Sequence, residues 1–394
     1  MADNKDKKVL NVPALRFPEF SREWKRHKLS EICSFYSGGT PSSSKKEFYN
    51  GNIPFIRSGE LHKDKTELFI TEDGLNSSAA KLVEIGDLLL ALYGATSGDI
   101  AISKIKGAIN QAILCIRTKQ NKKFIESVWN KHVERLLQTY LQGGQGNLSA
   151  DIVKNIPFYF ADLEEQDKLA NFISLLDERI STQNKIIEKL ETLIKGFVDS
   201  IFTANKFPKV PFKEIYVRAG EGGTPATSNP EYYDNGTIPF IKIDDLQNKY
   251  IKTNKDCITE LGLQKSSAWI VPANSIIYSN GATIGAISIN LFPVCTKQGI
   301  LGVVPKADIN VEFLYYFMTS TAFTKAVERI VTEGTMRTAY LKDINHIPCP
   351  VPCSVKQDEI AKLLSTLSEK LENEVIFQMK LQKQKEFLLS QMFI

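Results

Sequence analysis

The sequence contains an internal duplication, and this feature constrains the fold more than any other. Gly38-Gly39-Thr40-Pro41 returns 184 positions later as Gly222-Gly223-Thr224-Pro225, and Ile156-Pro157 returns 191 positions later as Ile347-Pro348. Further matches lie between these pairs in the same order, at separations that increase only slightly along the chain. The 394 residues are therefore predicted to form two diverged copies of about 190 residues each, with small loop insertions.

Each copy is predicted to begin with a mixed module and to end with a long helix. In the modules, β-rich runs such as 52–57 and 275–279 alternate with turn-forming residues, and helical stretches are expected at 124–141 and 311–331. After each module, apolar residues recur in alternating steps of four and three, which is the spacing of a coiled-coil seam. In the first copy the seam comprises Leu169, Ile173, Leu176, Ile180, Gln183, Ile187, Leu190 and Ile194, and continues to Phe197 and Ile201. In the second copy it comprises Ile360, Leu364, Leu367 and Leu371, and continues to Val375.

These patterns predict an α+β protein with two similar α/β modules, related by a pseudo-two-fold internal repeat and separated by an antiparallel coiled coil of two long helices. Asp162-x-x-Glu165 and Ser354-x-x-Gln357 are interpreted as capping boxes that start the two helices. The expected boundaries are 1–20 for an N-terminal segment, 21–160 and 161–205 for the first module and its helix, and 206–352 and 353–394 for the second.

The sequence does not spell out a catalytic site. It has no phosphate-binding G-x-x-x-x-G-K-[ST] loop and no H-E-x-x-H motif. Asn155-Ile156-Pro157-Phe158 comes close to the N-P-P-F tetrapeptide that holds a flipped adenine, but its repeat counterpart, 346–349, keeps only Ile-Pro. His346, Cys349 and Cys353 lack a fourth ligand and lie among prolines, so no metal site is expected. Two modules that can diverge separately suit two binding heads, so the chain is expected to be non-catalytic.

Charge and hydropathy limit the environment without deciding the function. The 49 Lys and Arg residues exceed the 45 Asp and Glu residues by only +4, which is compatible with a nucleic-acid partner and no more than that. No stretch approaches the roughly 18 apolar residues that span a bilayer, so a cytoplasmic location without membrane contact is expected.

The sequence resembles the specificity subunits of type I restriction-modification systems. The resemblance depends first on the segment 12–20, on Trp24 and on the segment 28–32, which together precede the first Gly-Gly-Thr-Pro motif. The others are the second Gly-Gly-Thr-Pro motif and the Ile-Pro pair that precedes Glu165-Gln166 or Lys356-Gln357 at each helix start. The similarity extends over nearly the whole chain.

This resemblance implies two target-recognition domains, each reading one half of a bipartite, asymmetric sequence in double-stranded DNA. The two helices would set the gap between the half-sites and dock two modification subunits, which carry the S-adenosylmethionine and adenine chemistry. Two restriction subunits, with ATP and Mg2+, would complete the complex. The chain itself would hold no cofactor.

Candidate DNA contacts are residues whose side chains or backbone suit phosphate or base-edge recognition. In the first module they are Gly38, Gly39, Thr40, Lys45, Lys46, Arg57, Ser58, His62, Lys63, Tyr93, Gln145 and Asn147. In the second they are Gly222, Gly223, Thr224, Lys242, Asn248, Lys249, Tyr278, Asn280, Thr335 and Arg337. A plain turn is the alternative for the glycines, and a solvated surface position is the alternative for the charged residues.

Two other functions stay open at this point. The chain could be a methyltransferase that acts through the segment 155–158, or a tandem scaffold that binds protein partners through its coiled coil. Binding of S-adenosylmethionine by the chain alone would favour the first, whereas the absence of a salt-dependent complex with duplex DNA would favour the second.

Overall fold

The computed structural model describes residues 10–141, 147–204, 207–281, 283–331 and 337–394. The chain divides into two units: unit 1 comprises the residues up to Asn184 together with Phe377–Ile394, and unit 2 comprises Lys185–Ile376. Each of the two long helices therefore contributes one half to each unit. Across the described ranges, no helix combines the length and the apolar character that crossing a membrane requires.

The helices of the described ranges differ widely in length. In chain order they are α1 (Leu29–Ile32), α2 (Glu72–Asn76), α3 (Lys122–Leu141), α4 (Ala150–Asn155), α5 (Leu163–Ala204), α6 (Glu260–Gln264), α7 (Val311–Thr319), α8 (Thr321–Ile330), α9 (Leu341–Ile344) and α10 (Ser354–Met392).

The strands are short and fall into two groups that precede α5 and α10. The first group is β1 (Lys25–Lys28), β2 (Cys33–Ser37), β3 (Tyr49–Ile56), β4 (Phe69–Ile70), β5 (Lys81–Val83), β6 (Leu88–Ala91), β7 (Ile100–Ile102), β8 (Gly107–Ile109), β9 (Ile113–Thr118) and β10 (Pro157–Phe160). The second group is β11 (Lys209–Pro211), β12 (Tyr216–Glu221), β13 (Ile238–Ile241), β14 (Tyr250–Ile251), β15 (Asp256–Ile258), β16 (Ile276–Ser279), β17 (Ile287–Asn290), β18 (Cys295–Thr296), β19 (Ile300–Pro305) and β20 (Pro348–Pro350).

The module of unit 1 is built on a sheet of order β2-β9-β6-β7, with a second sheet of order β4-β3-β8-β5 and the antiparallel pair β1-β10. Strand β6 is buried on both faces, as its run of apolar residues requires. Leu88 and Leu90 share a core with Phe124 and Trp129 of α3, while Leu89 belongs to the cluster on the opposite face. The sheet is thus the middle layer of the module.

The module of unit 2 repeats this arrangement. Its largest sheet has the order β12-β19-β16-β17-β14, next to a sheet of order β15-β13-β18 and the pair β11-β20. Ile276 and Tyr278 of β16 share a core with Phe313 and Phe323, and Ile277 packs into the cluster on the opposite face. The predicted fold class, two similar mixed modules with long helices, is confirmed.

The predicted helix at 311–331 is wrong in one respect, because the chain breaks it at Ser320. Ser320 has extended backbone angles, and its hydroxyl accepts a hydrogen bond from the Phe323 N–H at the start of α8. The next residue, Thr321, donates from its N–H and its hydroxyl to the Asp199 carboxylate of α5, both at 2.7 Å. The break therefore fastens the module to the long helix within unit 2.

The long helices pair antiparallel within each unit. In unit 1, Leu169 and Ile173 of α5 share a core with Met392 at the end of α10. Asp177 accepts from Lys385 of α10 and from Lys123 of α3, both at 2.6 Å, which joins three helices. Both lysines are largely shielded from solvent, and the pairing with two cations keeps the pKa of Asp177 low although burial alone would raise it.

In unit 2 the seam departs from its predicted register at two points. The expected seam residue Phe197 is 46% exposed, and Val198 and Phe202 are buried in its place beside Ile360 and Leu364. This shift follows because a straight helix has 3.6 residues per turn and drifts away from a strict heptad. On α10, Val375 is also exposed, so the apolar residue predicted for the seam faces solvent.

An N-terminal strap in unit 1 explains a second difference from the sequence prediction. The Arg16 guanidinium donates to both oxygens of Glu165 at 2.7 Å, and the Trp24 indole N–H donates to the same carboxylate at 3.2 Å. The predicted capping box of Asp162 and Glu165 is therefore wrong, because the Glu165 carboxylate is used to hold residues 16–24 against α5. The ring of Phe17 packs edge-on against Phe172.

Candidate nucleic-acid interface

A buried glutamine joins the module of unit 1 to the start of α5. The Gln166 amide donates to Gln120 Oε1 and to the Ala161 carbonyl, both at 2.7 Å, and its Oε1 accepts the backbone N–H of Asn121 at 3.1 Å. The Asn121 side chain in turn donates to Asp167 at 2.7 Å. Gln166 is fully buried, so these bonds fix the first turn of α3 directly to α5.

The same joint recurs in unit 2 with the same residue types. The Gln357 amide donates to the carbonyls of Asp308 and Pro352 at 3.1 and 3.0 Å, and its Oε1 accepts the Asn310 N–H at 2.9 Å. Asn310 donates to Asp358 at 2.8 Å. Because the Gln357 side chain points into this joint, it does not close the capping box that the sequence predicted. In both units, the module is thus attached to the long helix by the same Gln–Asn–Asp joint, which we call the shared frame.

The Gly-Gly-Thr-Pro motif of unit 1 is a packing point between loops. A Cβ on Gly38 would lie 1.8 Å from the Ile109 carbonyl oxygen, and a Cβ on Gly39 would lie 2.6 Å from the Ala79 methyl. Neither distance allows a side chain, so these glycines are required by the chain's own packing. The Thr40 hydroxyl of the motif donates to the Gln111 side chain on the surface.

The motif of unit 2 has the same environment. A Cβ on Gly222 would meet the Thr296 carbonyl oxygen at 1.8 Å, and one on Gly223 would meet Ser267 at 2.3 Å. Thr224 accepts the Gln298 N–H at 3.4 Å. Gly39, Gly222 and Gly223 are buried, which favours the plain-turn interpretation for them.

Sequence reasoning missed Gln111 and Gln298 as candidate contacts. Both side chains are exposed beside the threonine of their motif, and they occupy equivalent places in the two copies, 187 positions apart. Glutamine can donate to and accept from a base edge or a phosphate. The signal for them in the sequence is that each occupies the same place in its copy of the repeat.

The predicted basic contacts of unit 1 divide into open and paired side chains. Lys45, Lys46 and Lys63 are exposed. Arg57 pairs with Glu60 at 3.0 Å and Glu67 at 3.2 Å, and its neighbour Ser58 is half-buried. His62 pairs with Asp99 at 2.8 Å, and this hydrogen bond raises the pKa of His62 above its ordinary value although burial opposes the charge.

In unit 2, Lys249 is not the free cation that the sequence suggested. Its ammonium group donates to Ser365 at 2.9 Å, to Tyr316 at 3.0 Å and to Glu312 at 3.1 Å. Burial opposes its charge, but the hydrogen bonds to Tyr316 and Tyr250 raise its pKa. Lys249 therefore fastens its loop to α7 and α10, because its donors are consumed inside the unit.

Other predicted contacts of unit 2 differ in exposure. Lys242 pairs with Asp256 at 2.9 Å, whereas Asn248 and Arg337 are exposed. Tyr278 is 2% exposed within the core, so its ring is not available to DNA.

Asn280 is fully buried as well. Its side chain donates to Glu221 at 2.6 Å and to the Ala339 carbonyl at 3.1 Å, so it cannot serve as a direct contact. In unit 1 the equivalent loop is more open: Tyr93 is half-buried and forms an isolated bridge with the exposed Asn147. Gln145 and Thr335 lie outside the described residues.

The segment 155–158 does not present the geometry of a methylation motif. The Asn155 side chain donates to the Asp151 carbonyl of its own helix at 2.9 Å, and Ile156 and Phe158 are buried in the core of unit 1. Two of the four residues of the segment are thus core residues and not part of an open base-binding site. Among the described residues, no three His, Cys, Asp or Glu side chains group as metal ligands.

Comparison with known proteins gives a consistent family. A profile described as "Type I restriction modification DNA specificity domain" matches twice, at residues 21–192 and 209–380. The MjaIX specificity subunit of Methanocaldococcus jannaschii is 24% identical, over 93% of this chain and 92% of that protein. The HindI specificity subunit of Haemophilus influenzae is 31% identical over 39% of this chain and 34% of its own length.

Solved structures agree in fold. The S subunit of a type I restriction-modification system from M. genitalium superimposes with a TM-score of 0.58 at 15% identity, covering 97% of this chain and 99% of that one. A chain from work on complex assembly and conformational transition of the type I R-M system gives a TM-score of 0.59 at 15% identity, covering 93% and 96%.

Proposed function

This chain belongs to the family of type I restriction-modification DNA specificity proteins and carries two of their domains, and we propose that each unit reads one half of a bipartite, asymmetric DNA target. One observation carries the proposal. The Gln–Asn–Asp joint and the Gly-Gly-Thr turn are the same in both units, whereas the exposed polar residues around them differ. A shared frame with unlike surfaces suits two heads that read unlike half-sites.

The chain acts without chemistry of its own, and its partners supply catalysis. The burial of Ile156 and Phe158 supports this view, because a methyltransferase motif in the segment 155–158 would need to be open to a base. Modification subunits would bring S-adenosylmethionine, and restriction subunits would bring ATP and Mg2+. Two copies of each partner are proposed for the complete complex, acting in the cytoplasm on double-stranded DNA.

A partner surface is available on the helices of unit 2. On α5, Ile186, Leu193 and Phe197 are exposed at spacings of seven and four residues, which places them on one helix face. Exposed apolar side chains grouped on one helix face mark protein contacts, and we assign this face of α5 to a modification subunit.

The recognition proposal is tested by methylation mapping. Co-expression with the cognate modification subunit should produce methylated adenines in one bipartite motif, and the complex should bind duplex DNA with a steep dependence on salt. An active partner that yields no new methylation would exclude the proposal. S-adenosylmethionine bound by the isolated chain would favour a methyltransferase instead.

The docking proposal has a separate test. Replacing Leu193 and Phe197 by serine should abolish co-purification of the modification subunit, while the Lys195→Ser control on the same helix should retain it, because Lys195 is an exposed polar neighbour. Retention by the double variant would show that the partner binds elsewhere.

The helices are also proposed to set the distance between half-sites. Removing one heptad from α5 and the facing heptad from α10 should change the gap in the methylated motif and leave both half-sites intact. An unchanged gap would contradict the role of the helices as a spacer.

A further inference from the structure

An arginine lies over an aromatic ring at the same place in both units, but only one of the two arginines has an ion-pair partner among the described residues. In unit 2, the guanidinium carbon of Arg218 lies 4.1 Å from the ring centre of Trp269. In unit 1, the guanidinium carbon of Arg117 lies 5.1 Å from the ring centre of Tyr36. Stacking on an aromatic face orients the planar guanidinium and leaves its N–H edge free to bind.

Strand pairing shows that the two stacks are equivalent although different residues build them. In unit 1, Arg117 lies opposite Ser34 in the pair β2-β9, and in unit 2, Arg218 lies opposite Val304 in the pair β12-β19. The arginine therefore occupies the same rung of the ladder, but it comes from the opposite strand.

The aromatic ring also has two origins. Tyr36 stands on the strand itself, opposite Cys115, whereas the equivalent rung in unit 2 is Gly220 opposite Gly302. Without side chains, these glycines leave room for the indole of Trp269, whose Nε1 would lie 3.6 Å from a Cβ on Gly220. The duplication has kept the stack while its sequence diverged.

The two arginines differ in their partners. The Arg117 side chain is itself 46% exposed, but it donates to Asp87 at 2.9 Å, and this carboxylate is almost fully buried. Arg218 is exposed, and it has no ion-pair partner among the residues that the structure describes. Trp269 has a buried indole N–H without an acceptor in the same described set, so packing alone places the ring beneath the guanidinium.

The surroundings of Arg218 suit an anionic or acceptor-rich ligand. Strand β12 is an edge strand that leads directly into Gly222-Gly223-Thr224, and Gly223 packs against Ser267, two residues before Trp269. Lys265 and Lys297 are exposed on the loops that meet this turn. The stack thus lies beside a polar, basic loop surface.

We propose that Arg218, which lies over the Trp269 ring, is a DNA-contacting residue of the second unit, whereas the equivalent arginine of the first unit is ion-paired with Asp87. Its N–H edge fits two adjacent acceptors, which are offered by phosphate oxygens or by O6 and N7 of guanine. The proposal rests on the proposed DNA-reading function. It supplies one source of asymmetry between two otherwise similar heads.

The test uses the complex with the modification subunit and the variants Arg218→Ala, Arg218→Lys and Trp269→Phe. Arg218→Ala should weaken duplex binding about 10-fold, and Arg218→Lys should recover only part of this loss because an ammonium group lacks the planar fork. The affinity of the Trp269→Phe variant for duplex DNA should lie between that of the wild type and that of Arg218→Ala. Thermal melting of each variant provides the check on folding, which the exposed Arg218 should leave unchanged.

Two results identify the acceptor, and both support the contact. A uniform loss on all duplexes, with a salt slope reduced by about 1, indicates phosphate, whereas relaxed preference at one base pair of a single half-site indicates guanine. Arg117→Ala is the matched control, and it should lower the stability of unit 1 without relaxing that half-site.

Failure of this inference is distinct from failure of the proposed function. If the wild-type complex binds and methylates a bipartite target and Arg218→Ala behaves identically, the contact is refuted and the function stands. If the wild-type complex with an active partner shows neither activity, both are refuted.

Discussion

Replacing Gln357 by alanine should unfold the joint of unit 2 and leave unit 1 intact. The side chain is 1% exposed and makes three hydrogen bonds, two as donor and one as acceptor. Alanine would remove all three and leave the carbonyls of Asp308 and Pro352 and the N–H of Asn310 without partners.

The size of the effect follows from these groups. Each polar group left unpaired in a buried site costs about 1–3 kcal/mol, with the lower part of that range appropriate for groups that are only partly buried. A small cavity adds about 1 kcal/mol, and the freed rotamers of the unfolded glutamine offset part of the sum. The expected loss in free energy of unfolding of unit 2 is therefore about 3–5 kcal/mol.

Hydrogen exchange followed by mass spectrometry suits this prediction, because a chain with two units does not guarantee a two-state transition. The amides of α7 should exchange faster in the variant, while those of α3 in unit 1 should keep their wild-type rates. Gln166→Ala should give the reciprocal pattern. Gln382→Ala is the control on α10, because Gln382 is exposed.

Two outcomes would refute the reasoning. A change below about 1 kcal/mol would show that the joint contributes no more than an ordinary surface hydrogen bond. An equal loss of protection in both units would show that the glutamine does not act locally.

Three further changes test other parts of the structure. Glu165→Gln should lower the stability of unit 1 by about 3 kcal/mol in thermal melts, because Arg16 would keep its charge without a carboxylate; an unchanged melting temperature would contradict this. Burial alone would raise the pKa of Glu60, but its hydrogen bonds hold it at about 2, so its ordinary value of 4.5 is depressed on folding. The stability that the ionised Glu60 contributes is present above pH 4.5 and is lost as the pH falls toward 2. Glu60→Gln should therefore make the melting temperature depend less on pH between these values. Gly222→Ala should prevent correct folding of its loop, because the new Cβ would lie 1.8 Å from a carbonyl oxygen, whereas Gly59→Ala, with nothing within 4 Å, should melt like the wild type.

Much of the architecture could be predicted because repeats and periodicity depend on neighbours along the chain. The duplication located two modules, and the step of four and three located α5 and α10. The seam prediction was wrong at Phe197 and Val375. A helix with 3.6 residues per turn drifts away from a strict heptad repeat, and the modules as well as the partner helix cover the surface of each long helix.

The environment of the candidate contacts could not be predicted from the sequence. Lys249 and Asn280 look like surface residues in sequence, but their partners Glu312 and Glu221 lie 63 and 59 positions away and take up their donors. A local pattern carries no record of such distant partners. Exposure and pairing of a polar side chain are therefore properties of the folded unit.

The sequence by itself determined that this protein is two copies of a module and a helix, because repetition and apolar spacing are written along the chain. Only the tertiary structure decided which polar residues form hydrogen bonds and ion pairs within each copy and which have no such partner. Arg117 and Arg218 illustrate the difference: both are exposed arginines in strands, and one is ion-paired with a carboxylate 30 positions away while the other has no such partner among the described residues. The reason is physical, since a charge is neutralised by what lies near it in space and not by what precedes it in sequence.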